Sequence, residues 1–183
     1  MHIFGKMKGM ERFFVLSGCS GGGKSTLIAA LAARGHATMA EPGRRVLRAG
    51  GPKPWEDMAG FLRACLALAA EDHARALSLE GPVIFDRSAI DALSGLAGLG
   101  EVVAAPGFRY ASPVFLAPPW PELFASDPER RHGFEAAVAE YERLLGAFPA
   151  AGYAVEIMPK ASVAERVAWI EARIGPPAGA QQG

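Results

Sequence analysis

The sequence predicts an α/β fold in which a parallel sheet is covered by helices on both faces. Short apolar runs alternate with longer stretches of helical pattern along almost the whole chain. Strands that alternate with helices are joined by crossover connections, which make the strands parallel and bury both faces of the sheet. A chain of 183 residues, 50% of them hydrophobic, can bury the core of one such domain. We therefore expect a single three-layer domain.

The first half of the chain supplies two strands and two long helices. In chain order, the predicted elements are a strand at 12–17, a helix at 24–34, a weaker strand at 36–40 and a helix at 55–79. Gly35 ends the first helix as a C-terminal cap. Glu41-Pro-Gly-Arg-Arg45 opens a shorter helical piece, which the glycines and prolines of residues 50–54 interrupt. The long helix is identified by an apolar stripe at helical spacing, formed by Phe61, Leu62, Cys65, Leu66 and Leu68.

The second half repeats this alternation. In chain order, it predicts a strand at 82–85, a helix at 88–99, a strand at 113–116, a helix at 133–148, a strand at 153–158 and a helix at 162–174. The prolines of residues 118–121 mark a loop after the fourth strand. Residues 1–10 are expected to form a flexible leader and residues 175–183 a disordered tail. The predicted domain spans residues 11–174.

Composition excludes several classes of protein. The 19 basic and 19 acidic residues cancel, so no overall positive field recruits nucleic acid and no nucleic-acid partner is expected. Cys19 and Cys65 form neither a disulfide framework nor a zinc-ligand spacing, which favours a reducing, cytoplasmic location. No apolar run approaches the roughly 20 residues that span a bilayer, so no membrane partner is expected.

A glycine-rich turn between the first strand and the first helix carries the strongest functional signal. The segment from Gly18 to Ser25 fits G-x-x-x-x-G-K-[ST], the pattern of a phosphate-binding loop. In such a loop, backbone N–H groups close around phosphate oxygens, and the following helix directs its positive dipole end at the same anion. Lys24 is expected to reach the β- and γ-phosphates, and the Ser25 hydroxyl to ligate Mg²⁺. The residues expected to bind the nucleoside triphosphate are Gly18, Cys19, Ser20, Gly21, Gly22, Gly23, Lys24, Ser25 and Thr26.

Three missing signatures narrow the class of phosphate-loop protein. The chain has no Asn-Lys-x-Asp guanine-reading motif, residues 93–96 match a transporter-ATPase signature only in part, and no apolar strand ends in the Asp-Glu pair of many hydrolytic ATPases. The third predicted strand ends instead in Asp86-Arg87, with Asp91 spaced for an ion pair with the arginine. Asp86 can hold Mg²⁺ directly or through water, and Arg87 can pair with a phosphate or an acceptor. The alternative is that Asp86 only caps the next helix.

Glu41 is the second candidate carboxylate. It follows the second strand, at the carboxyl edge of the predicted sheet, where ligands bind in such folds. From that edge it can accept a proton from an acceptor hydroxyl. The equal alternative is a solvent-exposed loop acid before a proline.

Paired arginines follow the fourth strand, in Ser126-Asp-Pro-Glu-Arg-Arg131. Kinases of this architecture carry a mobile lid at that point, and its arginines close over the triphosphate and neutralise charge during transfer. We therefore expect a lid near residues 120–133, with Arg130 and Arg131 as catalytic residues. Ordinary exposed helices carry similar pairs.

Together these segments resemble a family of small bacterial predicted ATPases in the AAA-like, kinase-like P-loop group. The group is related to the ribosylnicotinamide kinase domain and, more distantly, to deoxynucleoside and thymidylate kinases. The matching segments are 18–25, 41–45, 85–91, 115–121 and 127–131, and they cover about residues 12–174. The resemblance implies a P-loop NTPase fold with a five-stranded parallel sheet in the order 2-3-1-4-5. It also implies ATP with Mg²⁺ as the bound nucleotide and metal.

Deoxynucleoside kinases place a Glu-Pro pair after strand two, where the glutamate serves as base, and an acid-Arg-Ser set after strand three. Glu41-Pro42 and Asp86-Arg87-Ser88 look like these two sets. One departure is the helix at 55–79, which offers mainly Leu, Ala and Met58 where those kinases carry polar and aromatic nucleoside-selecting residues.

The sequence therefore predicts a kinase-like phosphotransferase that moves the γ-phosphate of ATP to the hydroxyl of an unidentified small molecule. The alternative is an ATPase or a nucleotide-dependent switch that acts on a protein partner, in which Glu41 need not be catalytic. The expected catalytic residues are Lys24, Glu41, Asp86, Arg87, Arg130 and Arg131. The expected metal ligands are Ser25 and Asp86.

Overall fold

A computed structural model describes residues 10–124 and 133–178 of the chain. Five strands and six α-helices alternate in this described part. The strands are β1 (Phe13–Gly18), β2 (Ala37–Met39), β3 (Val83–Asp86), β4 (Val114–Ala117) and β5 (Val155–Ile157). The helices are α1 (Lys24–Ala33), α2 (Pro42–Arg48), α3 (Met58–Ala76), α4 (Ala89–Gly98), α5 (Phe134–Ala150) and α6 (Val163–Ile174).

The five strands form one parallel sheet in the order β2-β3-β1-β4-β5, which confirms the predicted order. β1 lies at the centre, where Phe13 pairs with Val83 of β3 and Leu16 pairs with Phe115 of β4. The carboxyl ends of β2, β3 and β1 are therefore neighbours at one edge of the sheet. The segments that follow these three strands meet at that edge, which is the ligand-binding edge of open α/β sheets.

Helices cover both faces of the sheet, as predicted, because successive side chains of β1 point to opposite faces. Phe13 and Val15 enter a hydrophobic cluster with residues of α3, α4 and α5. Leu16 enters a second cluster with residues of α1 and α6. The result is three layers, with the sheet between the α1–α6 pair and the α3–α4–α5 group.

Helix caps set two boundaries that bear on the site. α3 begins at Met58 rather than at residue 55, because the Asp57 carboxylate caps it and accepts the Gly60 N–H at 2.8 Å. α4 begins after Ser88, which forms a reciprocal capping box with Asp91. The cap of α4 is therefore Ser88, and Asp86 is not used for it.

Several predicted features lie at the limits of the described residues. Residues 1–9 of the leader, 179–183 of the tail and 125–132 of the lid, with Arg130 and Arg131, lie outside them. Pro177 and Ala178, in the predicted tail, lie beside Gly35 and Gly81 respectively. In the part of the chain that is described, no helix combines the length and the hydrophobicity of a transmembrane span. The cytoplasmic location stays a prediction.

Candidate active site

The loop between β1 and α1 is shaped by its backbone. Gly18 has a φ of +110°, and a Cβ at this position would lie 2.3 Å from the Ala117 carbonyl oxygen, so only glycine fits. The Cys19 N–H donates to that same carbonyl at 3.0 Å. Gly23, with a φ of +72°, turns the chain into α1, and no side chain caps this helix. The first N–H groups of α1 are therefore left for an anion.

Lys24 begins α1 and is 5% exposed. Its Nζ donates to the carbonyl oxygen of Cys19 within the same loop. Burial lowers the pKa of Lys24, and the nearby Arg87 lowers it further. The carboxylates of Asp86, Glu41 and Glu140 act in the opposite direction but do not outweigh burial, and phosphate oxygens would offset it further. The side chains of Ser25 and Thr26 are exposed at the same end of the helix.

Arg87 follows β3 in a strained backbone conformation. Its φ of +68° lies in the left-handed region, which costs a residue other than glycine about 1–3 kcal/mol. Three carboxylates surround its guanidinium: Nη1 lies 2.9 Å from Glu140 and 3.3 Å from Asp91, and Nε lies 3.5 Å from Glu41. Burial alone would lower the pKa of Arg87, but these carboxylates raise it well above its usual value. These ion pairs favour the strained position.

Asp91 ties this cluster to the central strand. One of its carboxylate oxygens, Oδ1, accepts the hydroxyl hydrogen of Ser17 in β1. The other, Oδ2, accepts the N–H of Ser88 at 2.9 Å and the hydroxyl of Ser88 at 2.8 Å. Since both oxygens are occupied within the protein, Asp91 positions Arg87 and is not a free acid.

Glu41 lies at the start of α2, but its side chain makes no capping hydrogen bond. Its carboxylate instead lies 3.5 Å from Arg87 Nε and 3.3 Å from Arg44 Nε. The side chain is only 19% exposed. A Cβ at the neighbouring Gly43 would lie 3.4 Å from Glu41 Oε1 and 3.0 Å from the Phe61 ring, so this glycine makes room for both. Glu41 is thus a partly buried acid rather than an exposed loop acid.

Asp86 is the last residue of β3 and is 5% exposed. Its Oδ1 atom is buried and has no hydrogen-bond partner among the described residues. Burial, together with the nearby Glu41, raises the pKa of Asp86 to about 6. An orphaned carboxylate oxygen beside a phosphate loop fits Mg²⁺, which proteins usually bind through one or two carboxylates plus substrate phosphates and water. Asp86 and Ser25 are the residues that would hold the ion. The described residues contain no cluster of three His, Cys, Asp or Glu side chains able to hold a metal.

Glu140, on α5, is a site residue that the sequence analysis missed. Its Oε2 accepts the N–H of Ser20 at 3.0 Å. That N–H belongs to the phosphate loop, so the carboxylate occupies a donor that a phosphate oxygen would use. Burial alone would raise the pKa of Glu140, but Arg87 and Lys24 outweigh it and lower the pKa, which keeps Glu140 an anion.

Arg166, on α6, is the second residue that the sequence analysis missed. Its guanidinium is buried behind the phosphate loop, where Nη1 lies 3.5 Å from the Gly22 carbonyl oxygen. The guanidinium carbon lies 5.5 Å from the centre of the Trp120 ring, within reach of a cation–π interaction. In the part of the chain that the structure describes, its Nε atom has no hydrogen-bond partner. Arg166 therefore adds positive charge beside the loop that would receive a triphosphate.

A cavity of about 490 Å³ opens next to this cluster, between α2, α3, α4 and α5. Its volume lies within the range of about 300–1,000 Å³ that is common for small-molecule sites. Five polar residues at its inner end contact one another or the phosphate loop: Ser20, Glu41, Arg87, Asp91 and Glu140. The rest of the wall is mainly apolar. This cavity therefore lies directly beside the phosphate loop.

The structure thus brings four of the six predicted catalytic residues to one edge of the sheet. They are Lys24, Glu41, Asp86 and Arg87. The other two, Arg130 and Arg131, fall in the segment outside the described residues.

Comparison with known families agrees with this geometry. The sequence matches the AAA domain family over residues 13–166, which is most of the chain. The chain belongs to this AAA domain family. This membership makes it a P-loop ATPase- or kinase-like enzyme.

The fold of this AAA-domain protein is also found in deoxyadenosine kinase from M. mycoides. The structure of that kinase with bound dATP is 15% identical with a TM-score of 0.60, and the structure with the products dCMP and a flexible dCDP is 15% identical with a TM-score of 0.56. Each alignment covers 87% of this chain and 97% of the kinase chain. No curated protein sequence matches the AAA-domain protein.

Replacing Asp86 with asparagine is expected to weaken the Mg²⁺ dependence of the AAA-domain protein more than its nucleotide binding. We expect the Mg²⁺ concentration for half-saturation to rise about tenfold, because one anionic oxygen is lost near the metal position. A magnesium titration at fixed nucleotide measures this, with the exposed Glu80→Gln as the charge-matched control. An equal loss of nucleotide affinity with and without Mg²⁺ would show that Asp86 is not a metal ligand.

Replacing Glu140 with glutamine is expected to strengthen nucleotide binding about tenfold. The substitution removes a negative charge 3.0 Å from a phosphate-loop N–H, and tenfold corresponds to about 1.4 kcal/mol. Titration calorimetry with an ATP analogue measures the change. Glu142→Gln, an exposed acid on the same helix, makes the same change in net charge and should leave the affinity within twofold. Weaker binding by Glu140→Gln alone would mean that this carboxylate supports the loop rather than competing with phosphate.

Proposed function

We propose that this protein is a phosphotransferase that uses ATP with Mg²⁺ and transfers the γ-phosphate to a hydroxyl of a small molecule. The observation that carries the proposal is the cavity of about 490 Å³ beside the phosphate loop, with Glu41 and Arg87 at its inner end. A hydrolase needs room only for a water molecule, whereas a cavity of this size accommodates an acceptor.

The donor half of the proposed site is the phosphate loop with its neighbours. The backbone N–H groups of residues 18–26 and the Lys24 ammonium bind the phosphates, while Ser25 and Asp86 hold the metal. When bound, Mg²⁺ neutralises the charge that develops on the phosphate oxygens. Arg166 adds positive charge from behind the loop. On sequence grounds, Arg130 and Arg131 are proposed to close over the triphosphate from the lid.

The acceptor half is built around Glu41. Its carboxylate is not used as a helix cap, so it is available to accept the acceptor hydroxyl proton as the new oxygen–phosphorus bond forms. Arg87 holds this carboxylate from 3.5 Å and is itself fixed by Asp91 and Glu140. The base is therefore positioned before the acceptor arrives, which reduces the entropy cost of transfer.

An acceptor screen tests this proposal directly. The protein with ATP and Mg²⁺ is mixed with a library of alcohols, and ADP and inorganic phosphate are measured separately. Transfer releases ADP without an equal amount of phosphate, and a phosphate ester of the alcohol accumulates. Equal amounts of ADP and phosphate with every alcohol would reject the transferase and favour the ATPase or switch alternative.

A further inference from the structure

We infer that the cavity accepts a neutral alcohol with a largely apolar body, and not a nucleoside or a charged metabolite. This inference adds an acceptor class to the proposed function. Phosphoryl transfer to the alcohol rests on that function, whereas binding of the alcohol does not. Three properties of the cavity wall carry it: the side chains that form it, the hydrogen bonds already made by its polar groups, and its balance of charge.

Much of the described cavity wall is apolar. Its apolar side chains on α2, on α3 and directly after α4 include Leu47, Met58, Phe61, Leu62, Cys65 and Leu99. Burial raises the pKa of Cys65 to about 12, so its thiol is neutral and behaves as a small hydrophobic group. Among the described residues, the lining includes no Asn, Gln, His, Thr, Tyr or Trp. Among neutral hydrogen-bonding side chains, the described lining offers only Ser20 and Ser88 to a nucleobase or a sugar ring.

The helices that form the wall are also closely packed against one another. A Cβ added at Gly95 of α4 would lie 2.8 Å from Leu62 Cδ1, and a Cβ at Gly43 of α2 would lie 3.0 Å from Phe61 Cζ. Glycine at these two positions lets α2 and α4 approach α3 closely. The apolar side chains of α3 are thus held by backbone on both sides, which gives the cavity a fixed shape.

Several polar groups in and next to the described lining are already hydrogen-bonded within the protein. The Ser88 hydroxyl donates to Asp91 at 2.8 Å, and the Ser20 N–H donates to Glu140 at 3.0 Å. Arg143 donates to the hydroxyl of Ser94 and, at 3.5 Å, to the Asp91 carbonyl. A nucleobase would bring several donors and acceptors into this wall without partners. Each one would lower the affinity about tenfold or more.

The charges of the described lining balance. It carries three arginines, Arg44, Arg87 and Arg143, and three carboxylates, Glu41, Asp91 and Glu140. An acceptor carrying a carboxylate or a phosphate would therefore find no excess positive charge among these residues. A neutral body with one hydroxyl directed at Glu41 satisfies both the polar end and the apolar wall.

Calorimetry in the presence of ADP and Mg²⁺ tests the inference by binding alone. The probes are neutral alcohols (2-phenylethanol, cyclohexylmethanol and 1-octanol), the nucleosides deoxyadenosine and deoxycytidine, and the anionic 4-(hydroxymethyl)benzoate. We expect at least one neutral alcohol to bind at least tenfold more tightly than any nucleoside or the anion. Leu62→Asn, which places an amide of similar size in the wall, should weaken that alcohol about tenfold. Leu145→Asn, which changes a leucine of α5 outside the cavity, should not.

The outcomes separate this inference from the proposed function. Tighter binding of a nucleoside or of the anion overturns the inference and leaves the phosphotransferase intact. Failure of all three neutral alcohols to bind also overturns it. Binding that Leu62→Asn weakens, without phosphate-ester formation by the unaltered protein, supports the inference and rejects the phosphotransferase. If Leu62→Asn does not fold, Cys65→Ser makes the same comparison by replacing the thiol with the more polar hydroxyl.

Discussion

Replacing Lys24 with alanine is expected to lower the affinity for a nucleoside triphosphate at least about 100-fold. The Lys24 ammonium is buried at the start of α1 and is the cation placed to contact the outer phosphates. A hydrogen bond to a charged group contributes about 1.5–3 kcal/mol, and a buried site lies at the upper end of that range. Titration calorimetry with a non-hydrolysable ATP analogue measures the loss.

The same variant is expected to fold normally. Lys24 donates a hydrogen bond to the Cys19 carbonyl within its own loop, and its burial disfavours the charged amine. Alanine is also a better helix former than lysine, so the free energy of unfolding should stay within about 1 kcal/mol. The matched control is Lys53→Ala, which removes a surface lysine. Unchanged affinity in Lys24→Ala would show that residues 18–26 are not a phosphate-binding loop.

Replacing Glu41 with glutamine is expected to lower the rate of phosphoryl transfer between about 100- and 10,000-fold. This range is what one positioned general base contributes. Glutamine has the same shape but cannot take the hydroxyl proton, so the step loses its base. The rate is measured as ADP formed in the presence of a saturating acceptor alcohol, with the exposed Glu71→Gln as control.

Two further measurements distinguish a lost base from a disturbed structure in Glu41→Gln. Arg87 keeps the carboxylates of Asp91 and Glu140, at 3.3 and 2.9 Å, so thermal stability should change little. Triphosphate affinity should stay within about threefold, because Glu41 belongs to the acceptor half. A variant that transfers phosphate at the original rate would remove Glu41 from the proposed mechanism.

The sheet and the site residues that follow its strands were predictable because the sequence patterns that indicate them are local. The order of the strands follows from alternating apolar runs and from the resemblance carried by short motifs. Glu41, Asp86 and Arg87 each follow a predicted strand within one or two residues. Parallel strands bring their carboxyl ends to the same edge, so position along the chain was enough to group these three side chains.

Glu140 and Arg166 were not predictable from local pattern. Glu140 contacts a residue 120 positions away, and Arg166 contacts one 144 positions away. Each lies on a helix rich in charged residues and close to an exposed acid, Glu142 in one case and Glu165 in the other. A charged residue that turns inward on such a helix looks the same in sequence as one that faces water. The tertiary contact alone distinguishes them.

The apolar stripe of α3 shows a different limit of sequence analysis. Phe61, Leu62 and Cys65 were predicted to form a hydrophobic face of this helix, and in the structure they do. Apolar side chains that pack in a core and apolar side chains that line a cavity give the same helical spacing. The apolar stripe within residues 55–79 was therefore visible in the sequence, but the cavity beside it was not.

The alternation of side chains along β1 has a consequence for how this protein can diverge. The helix that follows the phosphate loop packs on one face of the sheet, and the helices that enclose the cavity lie on the other. Substitutions in Phe61, Leu62 or Leu99 do not alter the packing of α1, so their effects should add to those of changes around Leu27 and Leu31. Duplicated copies of this chain can therefore become specific for new acceptors through substitutions in α2, α3 and α4, while the residues proposed to bind the nucleotide stay unchanged.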